Sequence, residues 1–151
     1  MAEDCSVKTE NVAFGYRTAG VLIKNGKILL QRERNGDEYA VPGGHVKLGE
    51  RSDDSLKREF FEETGAEISC DRLAFVEESF FEYGNRMNHV LCLYYFVSTS
   101  TDIPHLSCQK DNENIVFEWF DIEKLPAITV YPTCLYEKLT DIKPYPEHFV
   151  S

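Results

Sequence analysis

The sequence predicts a single domain of the mixed α/β (α+β) class, in which a mixed β-sheet carries helices on its faces. Segments rich in β-branched and aromatic residues recur on both sides of one strong helical segment. The 151 residues, 42% of them hydrophobic, suffice for one core and are too few for two domains of ordinary size. Since no linker or internal repeat divides residues 1–151, we expect one sheet of about five to seven strands with two or three helices.

The chain begins with a predicted β-hairpin. Residues 1–10 (MAEDCSVKTE) are acidic and have no apolar pattern, so we expect a loose lead-in. Residues 12–24 are rich in β-branched and aromatic side chains, and Asn25-Gly26 is the dipeptide typical of a type I′ turn. The second strand should therefore begin at residue 27, in the segment KILLQR.

A short strand and a helix follow the hairpin. Residues 39–41 predict a strand that ends at a Pro-Gly-Gly turn. Ser52 is a suitable N-cap for the helix, and Gly65 is the expected residue just past its end. Leu56 and Phe60 form an i, i+4 apolar pair, so this helix should pack one side on the sheet.

The second half predicts further strands and two short helices. The predicted elements are strands over residues 72–82, 88–98 and 116–120, a one-turn helix over 121–125 and a helix over 132–139. Residues 99–114 should be a polar loop. The tail, residues 143–151, is interrupted by prolines and should be irregular.

Composition restricts the partners and the location. The formal charge of −10 argues against a basic nucleic-acid-binding surface, so we expect no nucleic-acid partner. The five cysteines are scattered without a CxxC pair, which indicates reduced thiols and a cytoplasmic protein. No apolar run approaches the length of a membrane span, so we expect no membrane association.

Three carboxylates lie at helical spacing in the predicted helix. Glu59, Glu62 and Glu63 fall at i, i+3 and i+4, so all three should project from one helix face. Like charges at this spacing repel by a few tenths of a kcal/mol per pair. Acidic residues on a helix are often just a solvated face, and the alternative is a site for a multivalent cation.

The residues around these carboxylates form a recognisable motif. The fixed positions of the pattern GX5EX7REUXEEXGU, in which U is hydrophobic, are filled by Gly44, Glu50, Arg58, Glu59, Glu62, Glu63 and Gly65. Residues 44–66 thus resemble the Nudix box of the Nudix (MutT-like) hydrolases. Phe60 and Ala66 stand where a bulky aliphatic residue is commoner. The resemblance implies the family's α/β/α sandwich with a mixed sheet, over residues 12–140.

The resemblance also implies a chemistry. Nudix enzymes use Mg2+ or Mn2+ to split the diphosphate linkage of a nucleoside diphosphate joined to another moiety. By the family pattern, Glu59, Glu62 and Glu63 are the candidate metal ligands, with the backbone carbonyl of Gly44 as a further one. Any of these glutamates is a candidate general base. Glu50 matches the position that pairs with the arginine of the box, Arg58, and this pair should fix the loop on the helix.

An additional carboxylate is expected from the loop before the last predicted strand, because several family members supply one there. Glu113 is our choice, with Asp111 and Glu118 as alternatives.

Candidate substrate contacts are less specific. Gly43 and Gly44 would let the backbone approach a phosphate, although they also suit a plain turn. Arg32 is a candidate phosphate contact, although most such arginines are simply exposed. Tyr83 lies seventeen residues beyond the box, where a tyrosine marks dinucleoside polyphosphate hydrolases, but a hairpin turn explains it equally well.

Two functions remain open at this point. The first is a metal-dependent pyrophosphohydrolase acting on a nucleotide, nucleotide sugar or dinucleoside polyphosphate. The second is a catalytically inactive Nudix-fold domain that binds a nucleotide as a sensor. Either takes a small nucleotide-type partner, and a homodimer is left open.

Overall fold

The computed structural model describes residues 2–151 and contains one mixed sheet system with two α-helices. The helices are α1 (Ser52–Thr64) and α2 (Leu135–Thr140), and a 3-10 helix spans Ile122–Ala127. The strands within these residues are β1 (Ser6–Lys8), β2 (Val12–Lys24), β3 (Lys27–Glu33), β4 (Glu38–Ala40), β5 (Gly43–His45), β6 (Ile68–Tyr83), β7 (Arg86–Thr99), β8 (Leu106–Cys108), β9 (Ile115–Asp121), β10 (Thr129–Tyr131) and β11 (Glu147–Val150).

Strand β2 organises the sheet. It forms the predicted hairpin with β3, and the turn residues Asn25 and Gly26 both have positive φ, at 54° and 75°, as a type I′ turn requires. Along most of its length β2 pairs in parallel with β7, which pairs antiparallel with β6. The strand order is β10-β4-β3-β2-β7-β6-β11, with β1 and β5 also paired to β2 and β9 paired to β3. The mixed sheet is therefore confirmed.

Several short strands were not predicted. The expectation of a loose lead-in over residues 1–10 is wrong in part, because β1 pairs antiparallel with β2. The expectation of an irregular tail is wrong as well, because β11 pairs in parallel with β6. Within residues 2–151 the strands number eleven rather than five to seven. Each unpredicted strand has only three or four residues, and its pairing satisfies backbone groups of a neighbouring strand rather than following a local apolar pattern.

Helix α1 packs as its apolar pair predicts, with Leu56 and Phe60 fully buried. It ends at Gly65, whose φ of 77° is the left-handed cap conformation. The expected N-cap is wrong by one residue. Arg51 occupies that position, and the Ser52 hydroxyl instead bonds the Tyr95 hydroxyl of β7 at 2.7 Å. The Ser52 hydroxyl is therefore used in a tertiary hydrogen bond to β7 rather than in capping α1.

The sheet separates two apolar clusters, as an α/β/α sandwich requires. Alternate residues of β2 and β3 divide between them: Leu22 and Leu29 join the cluster under α1, whereas Val21 and Leu30 join the cluster that contains Leu135 of α2. All five cysteines are free thiols. None of the helices in residues 2–151 is long and apolar enough to cross a membrane.

Candidate functional site

The two glycines after β4 are part of a strand rather than only a turn. Gly43 and Gly44 pair with Ala19 and Thr18 of β2. A Cβ at Gly43 would lie 2.0 Å from the Thr18 carbonyl oxygen, so the packing against β2 alone requires glycine there. A Cβ at Gly44 would lie 2.3 Å from the carboxyl carbon of Glu59. The Gly44 backbone and the Glu59 carboxylate therefore lie against each other.

An ion pair fixes this loop on α1, as the sequence predicts. Arg58 Nε donates to Glu50 Oε2 at 2.8 Å, and Arg58 Nη2 donates to Glu50 Oε1 at 3.0 Å. The same carboxylate accepts a hydrogen bond from the Lys47 backbone N–H at 3.1 Å. The Arg58 guanidinium holds the pKa of Glu50 at about 2. This bidentate pair ties both ends of the loop to the helix.

We expect Glu50→Gln to weaken the fold in a pH-dependent way. At pH 7 the free energy of unfolding should fall by about 2 kcal/mol, because a charge-assisted pair is lost. The folded pKa of Glu50, about 2, lies below its ordinary value of 4.5. The pair therefore stabilises fully above pH 4.5, and this stabilisation disappears as the pH falls toward 2. Urea unfolding from pH 7 to pH 3 measures the difference.

Glu82→Gln, at an exposed position of β6, is the matched control and should unfold like the wild type at every pH. A Glu50→Gln deficit that stays constant down to pH 3 would contradict the ion-pair account.

The three glutamates of α1 do not converge on one point. Glu63 is buried, with 6% of its surface exposed, and Glu59 lies beside it on the preceding turn. Arg58 Nη1 donates to both the Glu59 carboxylate, at 3.1 Å, and the Glu62 carboxylate, at 3.2 Å. Within residues 2–151, no three His, Cys, Asp or Glu side chains are grouped as a metal site. Glu59 therefore lies next to both Glu63 and Glu62, and a metal site formed by all three stays a prediction.

Burial strongly disfavours the charged form of Glu63. Desolvation is the main cause, and the Glu59 carboxylate and the charge of Asp111 add to it, so the pKa of Glu63 is raised to about 9. Gln109 opposes this rise by donating a hydrogen bond. A buried carboxyl group whose pKa is raised by an adjacent carboxylate belongs to a donor set that a hard divalent cation would stabilise, because such cations prefer oxygen ligands. The residues present therefore fit a divalent metal.

The loop before β9 contacts α1 next to Glu63. Lys110 N–H donates to the Glu63 carbonyl at 2.9 Å, and it is Asp111 whose charge acts on Glu63. Glu113 is exposed, and its backbone carbonyl accepts two hydrogen bonds from Arg34, at 2.8 and 3.1 Å. Asp111 is thus the loop carboxylate whose charge acts on Glu63, and the choice of Glu113 stays a prediction. The remaining alternative, Glu118, pairs with Arg32 Nε at 3.4 Å.

Arg32 lies at a cavity. Its side chain is mostly buried, pairs with Glu118, and lies 5.9 Å from the centre of the Tyr39 ring. A cavity of about 370 Å³ is lined by Arg32, Gln31, Tyr39 and Tyr131, among others. The buried side-chain oxygen of Gln31 has no hydrogen-bond partner among residues 2–151. Tyr83, by contrast, is 78% exposed beside the turn glycine Gly84, which agrees with the hairpin interpretation.

Gln109 and Arg17 were not selected from the sequence, and Asp111 entered only as an alternative to Glu113. Gln109 and Asp111 lie in a loop whose approach to Glu63 depends on tertiary structure. Arg17 lies in the middle of β2 and donates from Nη1 to His45 Nε2 at 3.4 Å. A charged side chain inside an otherwise apolar strand was the only available signal, and alternation along the strand also explains it.

A family model described as NUDIX domain matches residues 16–138, which is most of the chain. The chain belongs to this family. Nudix hydrolases act on phosphoanhydride bonds of small nucleotide-type substrates and generally use divalent metals.

Individual relatives agree with this assignment. An uncharacterised Nudix hydrolase of Bacillus subtilis, YvcI, is 29% identical over 105 residues, which cover 70% of this chain and only 64% of that protein. A MutT-like protein of Streptomyces ambofaciens is 25% identical over 130 residues, 84% of this chain and 78% of that protein.

Solved structures share the fold. An ADP-ribose pyrophosphatase of Streptococcus suis superposes with a TM-score of 0.64 at 16% identity, over 89% of this chain and 98% of that one. A MutT protein of Bacillus halodurans gives a TM-score of 0.67 at 14% identity, over 90% of each chain. The Nudix-type sandwich is therefore confirmed.

Proposed function

We propose that this Nudix protein is a divalent-metal-dependent pyrophosphohydrolase that splits the diphosphate linkage of a nucleoside diphosphate joined to another moiety. The observation that carries the proposal is the meeting of the Glu59 and Glu63 carboxylates beside the Gly44 backbone. A nucleotide sensor has no need for two adjacent carboxyl groups, one of them buried, beside a glycine backbone. A hydrolase does, because a diphosphate repels an attacking hydroxide until its charge is neutralised.

We infer that Glu59 and Glu63 would hold Mg2+ or Mn2+, together with the Gly44 carbonyl. Glu62 would join them only by exchanging its contact with Arg58. The metal would supply charge neutralisation and an activated water. The Glu50–Arg58 pair keeps the loop against α1, so that the Gly44 backbone stays next to Glu59. Asp111 is the additional carboxylate available to accept a proton near Glu63.

The cavity beside Arg32 suits part of the substrate. Its volume of about 370 Å³ is within the range of small-molecule sites. Tyr39 and Tyr131 offer ring faces for a base or sugar, and Gln31 offers an unpaired acceptor for an N–H or O–H group. These features favour a nucleoside or an uncharged sugar as its occupant, with Arg32 at its rim.

A substrate panel tests the proposal. Purified protein should release phosphate or a nucleoside monophosphate from at least one nucleoside diphosphate derivative in the presence of Mg2+ or Mn2+. The panel should include nucleotide sugars, ADP-ribose, dinucleoside polyphosphates and nucleoside triphosphates. Excess EDTA should abolish the release, and added metal should restore it. No release from any member with either metal would refute the hydrolase, and nucleotide binding without turnover would then favour a sensor.

A further inference from the structure

One row of the sheet carries a half-buried arginine that the proposed chemistry leaves unused. Register places four residues side by side on successive strands: His45 of β5, Arg17 of β2, Cys92 of β7 and Glu77 of β6. Directly paired residues project from the same face of a sheet. The Arg17 side chain therefore lies between the His45 imidazole and the Cys92 thiol.

Arg17 has no counter-charge in the described part of the chain. No carboxylate of residues 2–151 lies within 4.0 Å of its guanidinium, and its hydrogen-bond partner is His45. The acidic member of the row, Glu77, is two strands away and buried. Its carboxylate already accepts hydrogen bonds from Tyr94 at 2.8 Å and Ser151 at 2.9 Å. A half-buried cation normally has an anionic partner, so an external anion is the natural complement.

The neighbours of Arg17 carry no compensating charge. Burial raises the pKa of Cys92 to about 12, so this side chain stays a neutral thiol. Because arginine only donates, His45 Nε2 must be the acceptor, and the neutral ring carries its proton on Nδ1. Arg17 therefore presents its full positive charge.

The row is joined through His45 to the segment that contains Gly44. This residue follows Gly44, whose backbone lies against Glu59. The His45 carbonyl accepts hydrogen bonds from Arg58 Nη2 and from the Ser55 hydroxyl, each at 3.3 Å. The His45 backbone is thus held by α1, while its ring holds the guanidinium of Arg17. An anion bound at Arg17 would lie next to the segment that contains Gly44, one of the candidate metal ligands.

We propose that Arg17 binds an anionic group of the substrate, a phosphate adjacent to the bond that is split, and that His45 orients its guanidinium. The identity of the anion rests on the proposed function. A guanidinium matches the geometry of phosphate oxygens with parallel N–H donors, and it keeps its charge at every working pH. Phosphate binding would explain why an arginine lies inside the otherwise apolar strand β2.

Binding of ADP to metal-free protein tests the proposal without turnover. Isothermal titration calorimetry in EDTA should compare the wild type with Arg17→Gln, Arg17→Lys and Arg86→Gln. We expect Arg17→Gln to weaken ADP binding by about 10-fold or more, since hydrogen bonds to charged groups contribute on that scale. Inorganic pyrophosphate should lose affinity by a similar factor, because the lost contact is to phosphate. Arg17→Lys should recover part of the loss.

Arg86 is the matched control, because it is exposed at the start of β7 and its replacement removes the same charge. Arg86→Gln should bind ADP within twofold of the wild type. Equal losses in the two glutamine variants would indicate a general field effect and overturn the proposal. It would also be overturned by unchanged affinity in Arg17→Gln, by Arg17→Lys binding no better than Arg17→Gln, or by a wild type that binds neither probe.

The outcome is distinguishable from that of the substrate panel. Arg17-dependent ADP binding with no turnover in the panel would refute the hydrolase and leave the anion site standing. Turnover together with Arg17-independent binding would refute only the anion site.

Discussion

Glu63→Gln lowers kcat by about 10³-fold and leaves the fold intact, if Glu63 is a metal ligand. Glutamine keeps the shape of the side chain but loses the negative charge that a divalent cation needs. Steady-state kinetics on a substrate found in the panel, with circular dichroism for the fold, give the measurement. Glu82→Gln should retain wild-type kcat, because Glu82 is exposed near the end of β6. A Glu63→Gln variant with near wild-type kcat would remove Glu63 from the ligand set.

The same substitution, Glu63→Gln, should lower kcat but raise the stability of the metal-free protein. In metal-free buffer the folded state holds the Glu63 proton up to about pH 9, whereas the unfolded chain releases it near 4.5. Between these values the folded state binds more protons, so its stability falls as the pH rises. Glu63→Gln removes this penalty. Its melting temperature should exceed that of the wild type, by a margin that widens from pH 5 to pH 9. Adding Mg2+ should stabilise the wild type and close the gap.

Gly44→Ala lowers kcat by about 10²-fold with little change in melting temperature. The new Cβ would lie 2.3 Å from the carboxyl carbon of Glu59. Because that atom is near the end of a flexible side chain, the carboxylate should move away rather than the backbone unfold. The neighbouring Gly43→Ala should behave differently. Its Cβ would meet the Thr18 carbonyl oxygen of β2, which cannot move aside, so the protein should lose stability.

A double-mutant cycle tests whether Gly44→Ala lowers kcat by displacing the Glu59 carboxylate. In a Glu59→Ala background there is no carboxylate to displace, so adding Gly44→Ala should cause little further loss of kcat. Losses that simply multiply would show that Gly44 acts independently of Glu59, for example through its carbonyl alone.

Local patterns explain what was predicted correctly. The β2–β3 hairpin follows from Asn25-Gly26, and the end of α1 follows from Gly65, because both depend on backbone conformations that few residues adopt. The Glu50–Arg58 pair was also predicted, from the resemblance to the Nudix box. In each case the interacting residues lie within one short segment of the chain.

Long-range pairing explains what was missed. Strands β1 and β11 exist because β2 and β6 offer open backbone groups to segments without a strand pattern of their own. Asp111 rather than Glu113 approaches Glu63 because the loop before β9 is held by Lys110 and Arg34. Local sequence spacing predicts neither these two strands nor the approach of Asp111 to Glu63.

By itself, then, the sequence determined the family, the β2–β3 hairpin, helix α1 and the Glu50–Arg58 ion pair. Each of these depends on residues that are close together in the chain. Tertiary structure alone decided that Glu63 is buried and that the charge of Asp111 acts on it. It also decided that Arg17 lies beside His45 without a carboxylate partner in residues 2–151. The reason is physical: burial and cross-strand register set the charge environment of each side chain, and both arise only when distant strands pair.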